Sequence, residues 1–168
     1  MVRKVFYSFH FKNDCWRTSQ VRNIGVVEGN KPISDNDWEK IKKKGDTAVE
    51  NWIEDQLKGK SCAVVLVGSS TASRKWVRKE IEKAWNAKKG IVGIRIHNLK
   101  DSNGNKSTQG DNPFEKFTLK EGQKKLSSVV KLYNSPYEFS KNVYDHIAKN
   151  IEKWVEEAVN IRDNYGKK

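Results

Sequence analysis

The chain has few cysteines, few acids relative to bases, and no long apolar run. Its two cysteines, Cys15 and Cys62, have no repeat or paired spacing. A disulfide framework is therefore not expected, and cysteines alone cannot build a zinc site; no metal site is expected. No apolar run approaches the ~18 residues of a membrane-spanning helix. The opening Met1-Val2-Arg3-Lys4-Val5-Phe6-Tyr7 passes directly into a strand-like segment without a signal-peptide hydrophobic region. A cytoplasmic protein with no membrane partner is expected. No Gly-x-Gly-x-x-Gly follows the first strand, which disfavours a hydride-transferring dinucleotide fold.

The shortage of acids leaves 33 Lys and Arg against 21 Asp and Glu, a formal net charge of +12 that raises the question of nucleic acid. The lysines are dispersed, however: Lys40, Lys42, Lys43 and Lys44, then Lys58 and Lys60, Lys88 and Lys89, Lys124 and Lys125, and Lys167 and Lys168. Most fall at helix ends or on exposed faces, where cations suit the helix C-terminus. No helix-turn-helix, zinc-finger or RNA-recognition signature accompanies them. A solvated basic surface is the first reading and attraction of a small anion the second; nucleic acid is disfavoured.

The remaining pattern alternates strands with helices. Val5 to His10 reads as a first strand, a helical segment runs from about Cys15 to Asn23, and Val26-Val27 reads as a very short second strand. Ser34, with Asp37 three residues on, starts a helix carrying Trp38 and Ile41. Gly45 stops it, and Asp46 caps the next, whose inner face is Ala48, Val49, Trp52, Ile53 and Leu57. Ser61 to Val67 is the strongest strand and is apolar on both faces, as a central parallel strand should be. Ile91 to His97 is another. The polar stretch 98–128 is too long for an ordinary connection and reads as a functional or a disordered loop. Val129 to Tyr133 is the last strand. Ser135-Pro136-Tyr137-Glu138 forms a capping box for an amphipathic helix, 136–161, with Phe139, Val143, Ile147, Ile151, Val155 and Ala158 in its stripe. The length fits one domain, 1–168. The expected architecture is α/β: three layers, flavodoxin-like, with a mainly parallel sheet of about five strands and helices on both faces.

Ligands of such sheets bind outside the carboxyl ends of the strands. Ser8, Phe9 and His10, the turn Gly68 to Thr71, and His97 fall there. Glu80 stands out in the helix after that turn. The apolar stripe is Trp76, Val77, Ile81, Ala84 and Trp85, and Glu80 shares it while Arg78, Lys79, Glu82 and Lys83 face mainly away. An inward carboxylate is costly unless something requires it. The bland alternative is a helix carboxylate paired with a lysine such as Lys83. Asp46 is a cap first and a substrate contact second. Trp16, Trp38, Trp52, Trp85 and Trp154 read as core or assembly surface.

Val5-Phe6-Tyr7-Ser8-Phe9-His10, Gly68-Ser69-x-Thr71, Arg74-x-Trp76-Val77-Arg78-x-Glu80-Ile81, Gly93-Ile94-x-Ile96 and Asn112-Pro113-Phe114 together resemble TIR-like domains. The similarity is strongest to the TIR-like subunit of the prokaryotic Thoeris anti-phage system. It spans roughly the first two thirds of the chain, and the Trp-Val-Arg-x-Glu-Ile segment is its most specific piece. The resemblance implies a TIR fold that consumes NAD as substrate, with no bound cofactor, by cleaving the bond between nicotinamide and ribose. It further implies a cyclic or modified ADP-ribose signal, made in response to a phage-derived trigger and read by a separate effector protein. The family's catalytic glutamate falls on Glu80. Ser8, Phe9 and His10 become candidate substrate contacts, with Ser69 and Asp46 beside them, and NAD phosphates are expected near the turn amides of Ser69 to Thr71. Assembly into a homo-oligomer or filament is left open. The competing functions are a non-catalytic TIR adaptor and, behind it, a basic nucleic-acid-binding protein.

Overall fold

Five strands form one sheet in the order β2-β1-β3-β4-β5, every neighbouring pair parallel. They are β1 (Lys4–Ser8), β2 (Glu28–Gly29), β3 (Cys62–Val67), β4 (Gly90–Arg95) and β5 (Lys131–Tyr133). The helices are α1 (Phe11–Arg22), α2 (Asp35–Lys43), α3 (Asp46–Leu57), α4 (Lys75–Asn86) and α5 (Ser140–Asn164). The computed structural model describes residues 2–119 and 123–165. Met1, residues 120–122 of the polar loop, and the Lys167-Lys168 pair lie outside them.

The layering follows from the period of two along the strands. Val5, Tyr7, Cys62, Val64, Leu66, Val92 and Ile94 point to one face, where Val21 of α1 and Val143, Ile147, Ile151 and Val155 of α5 cover them. Phe6, Ala63, Val65, Val67 and Ile91 point to the other, under Val49, Ile53 and Leu57 of α3 and Val77, Ile81 and Ala84 of α4. Burying all six residues of β3 requires helices on both sides, and that makes the three-layer α/β architecture. Among the described residues no helix is long and apolar enough to cross a membrane.

Strands β1 and β4 end two residues earlier than expected, β5 starts two later, and α5 runs on to Asn164 past the expected 161. Four further boundaries bear on the packing. First, α1 begins at Phe11, four residues before Cys15, with His10 as its N-cap residue. Second, β2 lies at Glu28–Gly29 and not at Val26-Val27, because the register that pairs with β1 sets Lys4 beside Glu28 and Val5 beside Gly29. Third, the cap of α3 is Gly45, at φ 104°, where a side chain would be strained; Asp46 is the first helical residue and makes no cap bond. Fourth, α5 starts at Ser140 and not at Pro136. The Ser135 hydroxyl accepts from the Tyr137 amide at 3.3 Å, and the chain stays non-helical up to Phe139, whose backbone is extended. Phe139 is consequently 73% exposed and leaves the apolar stripe to begin at Val143.

The long polar stretch is anchored along its described part. Short 3-10 turns occupy Pro113–Lys116 and Leu126–Ser128, and Thr118 bridges Lys125 antiparallel. Phe114 is fully buried. Its ring fills the space above Gly93, where a Cβ would stand 2.8 Å from it.

Candidate active site

The sheet order changes direction at β1: the chain goes from there to β2 on one side and to β3 on the other. A crevice opens at such a switch point, beyond the carboxyl ends of the strands. Ser8 closes β1 there, and α4 begins eight residues beyond the end of β3. The two elements meet through one hydrogen bond: the Ser8 hydroxyl donates to Glu80 Oε1 at 2.5 Å. Ser8 is 1% exposed and Glu80 7%. The lysine pairing that would make Glu80 an ordinary helix carboxylate does not form. Lys83 turns instead to Glu54 at 2.7 Å and Glu50 at 3.8 Å.

Burial pushes the Glu80 carboxyl up to about 8, and the Ser8 hydrogen bond opposes that rise. The free protein therefore holds Glu80 largely protonated at neutral pH. A cation placed beside it favours the carboxylate and can lower such a pKa by about 1 to 3 units.

Two cavities share Glu80 as a wall, together with Phe9, Phe11, Cys15 and Trp38. The smaller, about 430 Å³, is aromatic, with Phe6, Tyr7 and Trp52 added to those shared residues. Its polar walls are Thr18, Ser19, Asn23 and Asn30, with Arg22 and Lys31 as cations. The Asn30 side-chain oxygen accepts from the Tyr7 amide at 3.0 Å, its backbone carbonyl accepts from Arg22, and the Arg22 guanidinium lies 5.1 Å from the Tyr7 ring centroid. The larger, about 950 Å³, is basic, with Lys12, Lys42, Arg74 and Lys75 against Glu39 and Glu80. Lys42 pairs with Glu39 at 2.8 Å. Among the described residues neither Lys12 nor Arg74 forms a salt bridge, though the charge of Lys12 acts on Glu39. Glu80 thus stands between an aromatic chamber and a cationic one.

The candidate residues divide accordingly. Phe9 lines both cavities and stacks on Phe11, with ring centroids 5.9 Å apart. His10 lines the basic cavity; burial first, then Arg74 and Lys12, lower its pKa and favour the neutral imidazole. Ser69 lines neither cavity. Its turn is held another way: the Gly68 amide donates to Thr71 Oγ1 at 2.7 Å, and Gly110 packs so closely that a Cβ there would lie 2.3 Å from the Gly68 carbonyl oxygen. The cationic side chains of the basic cavity come from α1, α2 and the start of α4, not from that turn. Asp46 is exposed and outside both cavities, paired at 2.6 Å with Lys75. His97 is buried at the end of the β4 segment and lines neither.

Sequence reasoning missed Phe11, Cys15, Trp38 and Trp52 as cavity walls, and Lys42 and Arg74 as its cations. Trp38 leans on Trp52, centroids 5.5 Å apart, while still facing the crevice. Its place in the first helix after β2 was the available signal, because that segment returns over the switch point. α1 supplies the other wall. Arg17 pins its inner side by donating to the carbonyls of Leu99 at 2.8 Å and Asn105 at 2.9 Å, and pairs with buried Asp14 at 3.0 Å.

The TIR-like domain of Thoeris protein ThsB matches residues 6–101, from within β1 to past the end of β4, Glu80 included. The chain belongs to this family. A relative in Bacillus cereus (strain MSX-D12), named "Putative cyclic ADP-D-ribose synthase ThsB1", is 38% identical over 120 residues. That alignment covers 68% of this chain and 62% of the relative, so the chain spans less than two thirds of that protein's length. Every residue that Glu80 shares with its two cavities falls inside the ThsB TIR-like match.

Proposed function

We propose that this chain, as a single TIR-like domain, is an NAD-cleaving enzyme of cytoplasmic anti-phage defence, with Glu80 as its catalytic group. The observation that carries the reading is the buried Glu80 carboxyl at the boundary between an aromatic and a cationic chamber, at the switch point of the sheet. The aromatic chamber suits a flat ring such as nicotinamide. The cationic one suits a pyrophosphate. NAD carries both, joined through the ribose whose C1′ would then lie at Glu80.

The chemistry needs only one carboxylate. The C1′–N1 bond breaks with its electron pair going to nitrogen, so the pyridinium leaves as neutral nicotinamide and no general acid is required. Positive charge grows on the ribose, and Glu80 faces it in a site where low dielectric strengthens the attraction. The pyridinium of bound NAD lowers the Glu80 pKa, so the substrate itself brings the carboxylate to its ionised state. Ser8 would hold the carboxylate in place, Phe9 would offer a stacking surface, and neutral His10 would border the phosphates. Water capturing C1′ gives ADP-ribose; capture by a nucleophile of the same molecule gives a cyclic product. The relative's name supports the second course. A cyclic or modified ADP-ribose would then carry the signal to a separate effector protein after a phage-derived trigger.

Incubation with NAD, with and without phage-infected lysate, followed by mass spectrometry of nicotinamide and the ADP-ribose product, tests this reading. Release that requires Glu80 supports it. No release under either condition, with partner binding retained, supports a non-catalytic adaptor.

A further inference from the structure

We propose that a third cavity, at the far end of α4, is a second ligand site for a planar aromatic ring bearing an anionic group, of mononucleotide size. The cavity measures about 590 Å³ and shares no lining residue with the two that meet at Glu80. Three groups of residues enclose it: the second half of α4, Phe117 to Leu119 with Leu126, and the end of α5. Its volume falls in the range of small-molecule sites, about 300 to 1,000 Å³.

The lining fits such a ligand in two respects. Trp85, Phe117 and Tyr165 supply aromatic surface, and the Trp85 and Tyr165 ring centroids are 5.1 Å apart in an edge arrangement. Aromatic side chains combined with arginine are the usual seat for a nucleobase. The second respect is charge. The Arg162 guanidinium lies 4.1 Å from the Trp85 centroid, and its Nη2 donates to the Trp85 carbonyl at 3.1 Å. Its Nε is buried and meets no acceptor. A buried donor left unmatched is destabilising, and an anion at this position would satisfy it. Lys88 adds a second cation on the rim, where α4 ends and the backbone turns at φ 61°. Glu82, the one acid in the lining, is half committed to Lys79 at 3.8 Å. A neutral apolar ligand would desolvate these cations without compensation. Because Ile81 and Trp85 line the cavity, its occupant touches the helix that carries Glu80.

Titration of the whole protein with AMP, read by calorimetry, tests the site without any reference to NAD cleavage. Saturable binding is expected, weakened about tenfold or more by Arg162→Gln and by Lys88→Glu, since a hydrogen bond to a charged group contributes about 1.5 to 3 kcal/mol. Lys88 is exposed, so its variant keeps the test valid if Arg162→Gln perturbs packing. Adenosine should bind more weakly than AMP. Lys42→Glu, in the cavity beside Glu80, should leave this binding in place. Absence of saturable AMP binding up to about 5 mM, an affinity weaker than roughly 3 kcal/mol, overturns the proposal. So does AMP binding that Lys88→Glu leaves unchanged.

Discussion

The Ser8 hydroxyl and the Glu80 carboxylate, 72 residues apart in sequence, meet at 2.5 Å and join the end of β1 to the middle of α4. This contact is the principal restraint on a carboxyl that burial drives up to about 8. Ser8→Ala removes the hydrogen bond that lowers that pKa, so the Glu80 value should rise further. If the ionised form is the active one, kcat/KM increases with pH through the free-protein pKa. The rising limb should therefore move to higher pH in Ser8→Ala. A limb that stays in place would separate Ser8 from Glu80 function.

Stability should carry the opposite signature. The folded Glu80 keeps its proton from the ordinary 4.5 up to about 8, whereas the unfolded chain releases it at 4.5. Its contribution is fully present below 4.5 and is lost as pH rises toward 8, at up to about 1.4 kcal/mol per pH unit. Glu80→Gln cannot ionise and escapes that loss. Melting curves at pH 5 and pH 8 should show Glu80→Gln gaining on the parent protein as pH rises. A gap that does not widen would mean Glu80 is not held in a raised-pKa environment.

Both expectations rest on an oddity that was legible in the sequence. The inward position of Glu80 followed from its place in the stripe between Trp76 and Ala84, and the all-apolar β3 fixed the three-layer architecture. The Ser8 position followed from β1 ending at the ligand edge. Three things were not legible. The start of α5 depended on a local Ser135–Tyr137 turn that competes with the capping-box pattern. The position of β2 depended on register with β1, a pairing that no local signal encodes. The cationic wall depended on α1, α2 and α4 converging in space, so Lys42 and Arg74 looked like ordinary surface charges. Trp38 was read as core or assembly surface; it does pack on Trp52, and only the tertiary arrangement leaves its other side facing the crevice.

Arg74 tests the cationic chamber. It is exposed, lines the larger cavity and acts electrostatically on His10. Arg74→Ala should raise KM for NAD about tenfold, the scale of one lost charge-assisted hydrogen bond, with kcat little changed. Steady-state kinetics at two salt concentrations check this, because the parent should lose more affinity with salt than the variant. An unchanged KM would move the phosphates elsewhere.

Phe114 tests the anchor of the polar loop. Its fully buried ring sits over Gly93, so Phe114→Ala should cost about 3 to 5 kcal/mol. Denaturant unfolding measures it directly. A loss under about 1 kcal/mol would mean that the loop does not depend on this contact.

Nicotinamide release by the Glu80→Gln protein is the most direct measurement. The parent and variant are incubated with NAD under the condition in which the parent is active, after circular dichroism has shown both to be folded. A catalytic carboxylate requires release to fall by about 100-fold or more. Release by Glu80→Gln at the parent's rate would contradict the assignment of Glu80.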